Sequence, residues 1–186
     1  MKQAFQRSTH TLFFAYGSNL IPEQIQTRCT KPEVVAVARL PGHRVGFFGY
    51  SKVWDGAVET VYADQGADVW GVVYRLTIGD SNRLDSWQDV RLDGTGSYFH
   101  YPAVVYDAEG TGHLVLLYKK ETLGEPLPPA RPYLDRILEG AKVRGLPEPY
   151  IASLGTITAK EPGYEVPKRG TFDRSLLVDM ACSDCG

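Results

Sequence analysis

The chain is poor in everything that would place it in a disulfide-rich, basic or membrane-spanning class. It has three cysteines in 186 residues, an odd number that cannot close a disulfide framework. Cys182 and Cys185 form a CxxC near the end, read as reduced thiols on a solvated tail. A structural zinc site needs four ligands, and only Cys29 and four dispersed histidines stand ready to complete one. Those histidines, His10, His43, His100 and His113, show no metal-ligand spacing. Positive charge is scattered, with no run longer than Lys119-Lys120, the formal net charge is −2 and the isoelectric point about 6.1. Nucleic acid and acidic membrane surfaces are therefore not expected partners. There is neither an apolar signal core at the N-terminus nor a stretch approaching the roughly 20 apolar residues that span a bilayer. A cytoplasmic protein is expected.

What the chain does have is enough apolar mass, 43% hydrophobic residues, for one domain over 1–186. Eleven tyrosines, seven phenylalanines and many valines stand in short runs between Gly, Pro and Asp, a β-rich pattern. Strands are expected over 11–15, 33–39, 44–49, 57–63, 69–77, 98–106 and 113–119. A short helix over 80–87, capped by Asp80 or Ser81, would turn Leu84 and Trp87 to one face. Beyond the extended Leu127–Pro132, the helical spacing of Tyr133, Ile137, Leu138 and Ala141 predicts a helix with Gly145 as its stop. Pro147 opens another helix, and from about 162 the chain reads as an irregular tail. The sum is α+β, a small bent mixed sheet or partial β-barrel packed by C-terminal helices.

The most informative stretch is Phe14-Ala15-Tyr16-Gly17-Ser18-Asn19-Leu20. An apolar strand stops at small polar residues, just before a helix opening with Pro22 and Glu23. Backbone N–H groups released there from the sheet suit a carboxylate or a developing oxyanion. This loop resembles the signature of the gamma-glutamylcyclotransferase family (AIG2-like fold). Val69-Trp70-Gly71-Val72-Val73-Tyr74 is similar to that family's VWGVV strand, Asn82-Arg83-Leu84-Asp85 to its short helix, and Tyr133 to Tyr150 to its Y…GA…GLP..Y segment.

The resemblance implies an intramolecular reaction that needs no cofactor or metal. The α-amine of a gamma-glutamyl group attacks its own γ-carbonyl, giving 5-oxoproline and an amine or amino acid. It implies that Tyr16, Gly17, Ser18, Asn19 and Leu20 bind the small-molecule substrate, with Tyr98 and Tyr118 as pocket tyrosines. Trp54 and Asp55, just before Gly56, are read either as rim residues or as an ordinary loop. The chain would be a monomer or homodimer.

One departure stands out. The family pattern Leu-Asp-x-x-Glu reads here Leu84-Asp85-Ser86-Trp87-Gln88, and an amide cannot carry a proton near neutral pH. Three groups compete for the vacated role. Asp89 is one residue on, Glu59 stands where the family usually has a small residue, and His100 shares a strand face with Tyr98. The remaining reading has no proton carrier: a module binding an amino-acid-like ligand, or a Glu-to-Gln variant that traps one. Ser18 is no hydrolase nucleophile, since a G-x-S-x-G elbow is missing, yet hydrolysis or acyl transfer stays a third possibility because fold does not fix function.

Overall fold

The computed structural model describes residues 9–91 and 93–168. In chain order they form β1 (His10–Ala15), a 3-10 turn (Ser18–Leu20), α1 (Pro22–Arg28), β2 (Glu33–Ser51) and β3 (Gly56–Thr77). α2 (Ile78–Trp87), β4 (Phe99–Asp107), β5 (Gly112–Lys119), α3 (Arg131–Val143) and α4 (Glu148–Gly155) follow. The strands make a closed barrel in the order β1-β3-β2-β4-β5, so the expected α+β class holds with the barrel complete rather than partial. Closure comes from a single parallel pairing, Phe13 with Leu116, that joins the first strand to the last.

Two pairs of expected strands are single long ones. Pro41-Gly42 and Gly66 are strand breakers and predict strand ends at those points. Instead β2 and β3 run through them as one antiparallel ribbon, absorbing the misfit in register shifts at Val34/Ala36, Pro41/His43 and Phe48/Ser51. Gly42 takes the left-handed conformation at one of these bulges (φ +68°), where a side chain would be strained. The ribbon reaches from the barrel wall to a turn at residues 52–55.

α2 begins two residues earlier than expected, because Thr77 caps it: its Oγ1 accepts from the Asp80 amide at 3.1 Å. Asp80 is itself fully buried and accepts from the amides of Thr30 (2.6 Å) and Lys31 (3.3 Å). Leu84 is buried as expected, but Trp87 is 46% exposed and lies under the Arg28 guanidinium, 5.2 Å from ring to cation. α3 buries Tyr133, Leu134, Ile137, Gly140 and Ala141, and Gly145 (φ +68°) follows its C-cap. Gly140 lets α3 press on the signature loop, since a Cβ there would stand 2.8 Å from Leu20 Cβ. Residues 156–168 contain no helix or strand, and Cys182 and Cys185 lie outside the described residues.

Candidate active site

A small cleft, open on one side, lies where β1 runs into the 3-10 turn. Phe13, Phe14, Ala15, Tyr16, Gly17, Asn19, Glu59, Gln88, Tyr98 and Tyr118 line it. The local chain explains the placement. β1 pairs with β3 as far as Ala15↔Val72, then leaves the sheet at Tyr16 and turns through Ser18–Leu20. The loop is held from below by fully buried Leu20 and from the side by Asn19, whose Oδ1 accepts from Arg28 at 2.8 Å.

Glu59 reaches this loop from β3. It is 8% exposed, and its Oε1 accepts the Ser18 N–H at 3.0 Å while Oε2 accepts the Tyr133 hydroxyl. The carboxylate lies directly on Gly17, where an added Cβ would overlap it. Tyr98 donates to the Glu59 backbone carbonyl at 2.8 Å, fixing the strand that carries the acid. Gln88, the C-cap of α2, also lines the cavity.

The tyrosines around the cavity stay neutral hydroxyls. Burial pushes Tyr16, Tyr98 and Tyr133 well above the ordinary phenol value, and the Glu59 charge pushes each further. Burial, then the hydrogen bond to Asp85, does the same to Tyr118. Each therefore donates: Tyr16 to the Tyr118 carbonyl, Tyr118 to Asp85 Oδ1 at 2.7 Å. Lys120 sits 4.5 Å over the Tyr98 ring, its pKa lowered by burial and raised by Glu59.

The other candidates for the proton are occupied. Asp89, in the left-handed region (φ +51°), accepts from Arg91 Nε at 2.9 Å and from the Ser97 hydroxyl at 2.8 Å and amide at 3.2 Å. It does not line the cavity. His100 also lies outside the lining, with Nε2 2.7 Å from Asp85 Oδ1, so Asp85 ties α2 to both β4 and β5. That hydrogen bond raises the His100 pKa above its ordinary value. Stability from the pair is thus full below the unfolded-state value of about 6.5 and is lost as pH climbs through the raised folded value. The melting-temperature gap between the protein and His100→Gln should be widest near pH 5.5–6 and close toward about pH 8.

A model of the AIG2-like family matches residues 68–154. The bovine gamma-glutamylcyclotransferase is 33% identical over 150 residues, 78% of each chain, and the mouse protein of that name is 33% identical over 162 residues, 85% of this chain and 84% of its own. The chain belongs to the gamma-glutamylcyclotransferase family. A solved structure named gamma-glutamyl cyclotransferase superposes with a TM-score of 0.78 at 32% identity, covering 84% of this chain and 93% of that one.

Within this gamma-glutamylcyclotransferase fold the structure gathers Tyr16, Gly17, Asn19, Glu59, Gln88, Tyr98 and Tyr118 around one cavity. Ser18 contributes its amide and Leu20 its packing. Tyr133, which hydrogen-bonds Glu59 from α3, stands in the sequence only as a helix-face residue and the opening of the family segment, with no site role. Its signal was the helix register itself, which turns Tyr133 inward. Trp54, a rim candidate, packs against Tyr133 with ring centroids 4.7 Å apart and planes tilted by 41°. Asp55 is buried against the Gly163 amide (2.6 Å) and Lys160 (3.1 Å). Among the described residues, no group of three or more His, Cys, Asp or Glu is arranged to hold a metal ion, and no helix is long and apolar enough to cross a membrane.

Proposed function

We propose that this protein is a cyclotransferase that releases an amine or amino acid from a gamma-glutamyl amide as 5-oxoproline forms, with Glu59 in place of the missing acid at Gln88. The observation that carries the reading is the buried Glu59 carboxylate, set in the signature cavity on the Ser18 amide. The cavity that lacks a carboxylate at Gln88 holds one at Glu59.

The chemistry asks little else. The cavity folds the glutamyl chain so that its amine faces its own γ-carbonyl, raising effective molarity. Glu59 takes one proton from the substrate ammonium, and the freed nitrogen attacks, forming the ring C–N bond. Negative charge on the γ-oxygen falls to the loop amides beside Ser18, those of Gly17 and Asn19. Glu59 returns its proton to the leaving nitrogen as the old C–N bond breaks, and the surplus proton on the ring nitrogen departs with the amine as its ammonium. The hydroxyl of Tyr133 and the amide of Ser18 hold the carboxylate between these two tasks. The reading assigns a small-molecule substrate, a cytoplasmic location and a monomer or homodimer, with no cofactor.

Gln88 itself favours a second reading, a module that holds an amino-acid-like ligand without converting it. Incubation with gamma-glutamyl amino acids and amines, read by mass spectrometry, separates the two. The protein as it stands should yield 5-oxoproline. Turnover only after Gln88→Glu would transfer support to the binding module, and free glutamate in place of 5-oxoproline would mean hydrolysis.

A further inference from the structure

The signature loop carries backbone donors that suit an anion, and the anion seated on it is the protein's own. Glu59 Oε1 accepts the Ser18 N–H at 3.0 Å, and Oε2 accepts the Tyr133 hydroxyl. The carboxylate lies so close on Gly17 that a Cβ there would overlap it. A carboxylate arriving with a substrate finds that place taken and meets a like charge. Glu59 is the one carboxylate among the residues lining the cavity, and no Lys, Arg or His lines it.

The hydroxyls of the lining are spent as well. Tyr16 donates to the Tyr118 carbonyl, Tyr118 to Asp85 Oδ1 at 2.7 Å, and Tyr98 to the Glu59 carbonyl at 2.8 Å. Asn19 Oδ1 accepts from Arg28 at 2.8 Å and from Gln24 at 3.3 Å. The lining side chains thus keep only neutral amide donors, those of Asn19 and Gln88, for a ligand. Two cations stand outside the lining: Arg28 on that Asn19 oxygen, and Lys120, 4.5 Å over the Tyr98 ring. A substrate ammonium gains an ion pair with Glu59 in this setting. A substrate carboxylate loses its water and gains no counter-charge.

We propose that the site reads its substrate by the amine and leaves the α-carboxylate unread, so that it also cyclises 4-aminobutyryl amides, which lack that carboxylate, to 2-pyrrolidinone. The inference rests on the cyclotransferase reading above for its chemistry, and the bonds exchanged are the same. Glu59 takes a proton from the ammonium, and the freed nitrogen bonds to the acyl carbon. Glu59 returns the proton to the leaving nitrogen as the old C–N bond breaks. The surplus proton on the ring nitrogen departs with the amine as its ammonium. Only a ring substituent differs, hydrogen in place of a carboxylate.

Three ethylamides separate the two head groups. Gamma-glutamyl-ethylamide carries both, 4-aminobutyryl-ethylamide the amine alone, and glutaryl-ethylamide the carboxylate alone. Lactam formation read by mass spectrometry gives kcat/KM for the first two, and calorimetry gives Kd for the third. The 4-aminobutyryl compound should stay within about tenfold of the gamma-glutamyl one, less than a single hydrogen bond to a charged group is worth. A larger loss overturns the proposal, because the carboxylate is then read. Glutaryl-ethylamide should bind at least about tenfold more weakly than the KM of the 4-aminobutyryl compound. Binding as tight as that KM overturns the proposal too.

Glu59→Ala removes both the occupant of the Ser18 amide and its charge. Glutaryl-ethylamide should then bind about tenfold or more tighter than to the native protein, and 4-aminobutyryl-ethylamide more weakly. If that variant melts early, Glu59→Gln keeps the shape without the charge and should move both affinities in the same directions. Glutaryl affinity unchanged in both variants overturns the proposal. So does 5-oxoproline formation without 2-pyrrolidinone, which leaves the cyclotransferase reading standing. No lactam from either amine, with 4-aminobutyryl-ethylamide bound by calorimetry and glutaryl-ethylamide not, would sink the cyclotransferase reading and leave an amine-reading site.

Discussion

Glu59→Gln is expected to lower 5-oxoproline formation by about 10²- to 10⁴-fold, the usual contribution of a positioned general acid–base. The substitution keeps the shape of the side chain and its acceptor oxygen, so Ser18 can still donate to it and the barrel should melt near its ordinary temperature. Loss of rate without loss of fold is therefore the signature of a proton carrier. Asp89→Asn supplies the contrast. Its carboxylate is already committed to Arg91 and Ser97, and it lies outside the cavity lining. Its kcat should stay within about threefold of the native value, as for a substitution that touches no reacting atom. If Asp89→Asn is the variant that fails and Glu59→Gln turns over normally, the assignment of the acid is wrong.

The second large effect is expected at Gly17. A methyl group placed there overlaps Glu59 Oε1, Cδ and Cγ, the outer part of a side chain rather than the backbone. The cheapest relief is for the carboxylate to leave the Ser18 amide, so Gly17→Ala should cost about 1–3 kcal/mol, the scale of a lost buried hydrogen bond, while displacing the proton carrier by an ångström or more. A displacement of that size is worth about 10²-fold in rate. Kinetics and thermal melts on the same preparation check this. A variant that loses its melting temperature but keeps its specific activity would mean that Glu59 tolerates the move and its place on Gly17 is incidental.

Much of the fold was legible because the barrel strands are rich in valine and aromatics, and because the motif residues fix the order of elements. Strand 10–15, the hairpin of β4 and β5 and the two C-terminal helices fall within a few residues of where apolar spacing puts them. The fusion of four expected strands into two was not legible. Pro41 and Gly66 are strand breakers locally, and only the neighbouring strand shows that a bulge can carry the ladder past them. The exposure of Trp87 was hidden too, because a helix of ten residues has room for an indole on either side of its apolar line.

At the site, the loop from Tyr16 to Leu20 could be found from its abrupt change of composition. Glu59 could be named only as one of several acids, since alternation along β3 leaves open which face meets the cavity. Tyr133 lay 74 positions from the acid that it hydrogen-bonds. No local pattern reports a contact across such a span; it follows from α3 docking on the loop through Gly140.

The single parallel rung between Phe13 and Leu116 gives the assembly of this molecule an order. The β2–β3 ribbon and the β4–β5 hairpin each join neighbours in sequence and need only short loops to close. Bringing β1 beside β5 encloses some hundred residues, and loop closure of that length is met late and slowly. The cavity is bounded by both sides of that seam: Phe13 to Asn19 from β1 and its turn, Tyr118 from β5. The pocket is thus completed by the same event that closes the barrel, and a chain with its hairpins formed but its seam open has no binding site to offer.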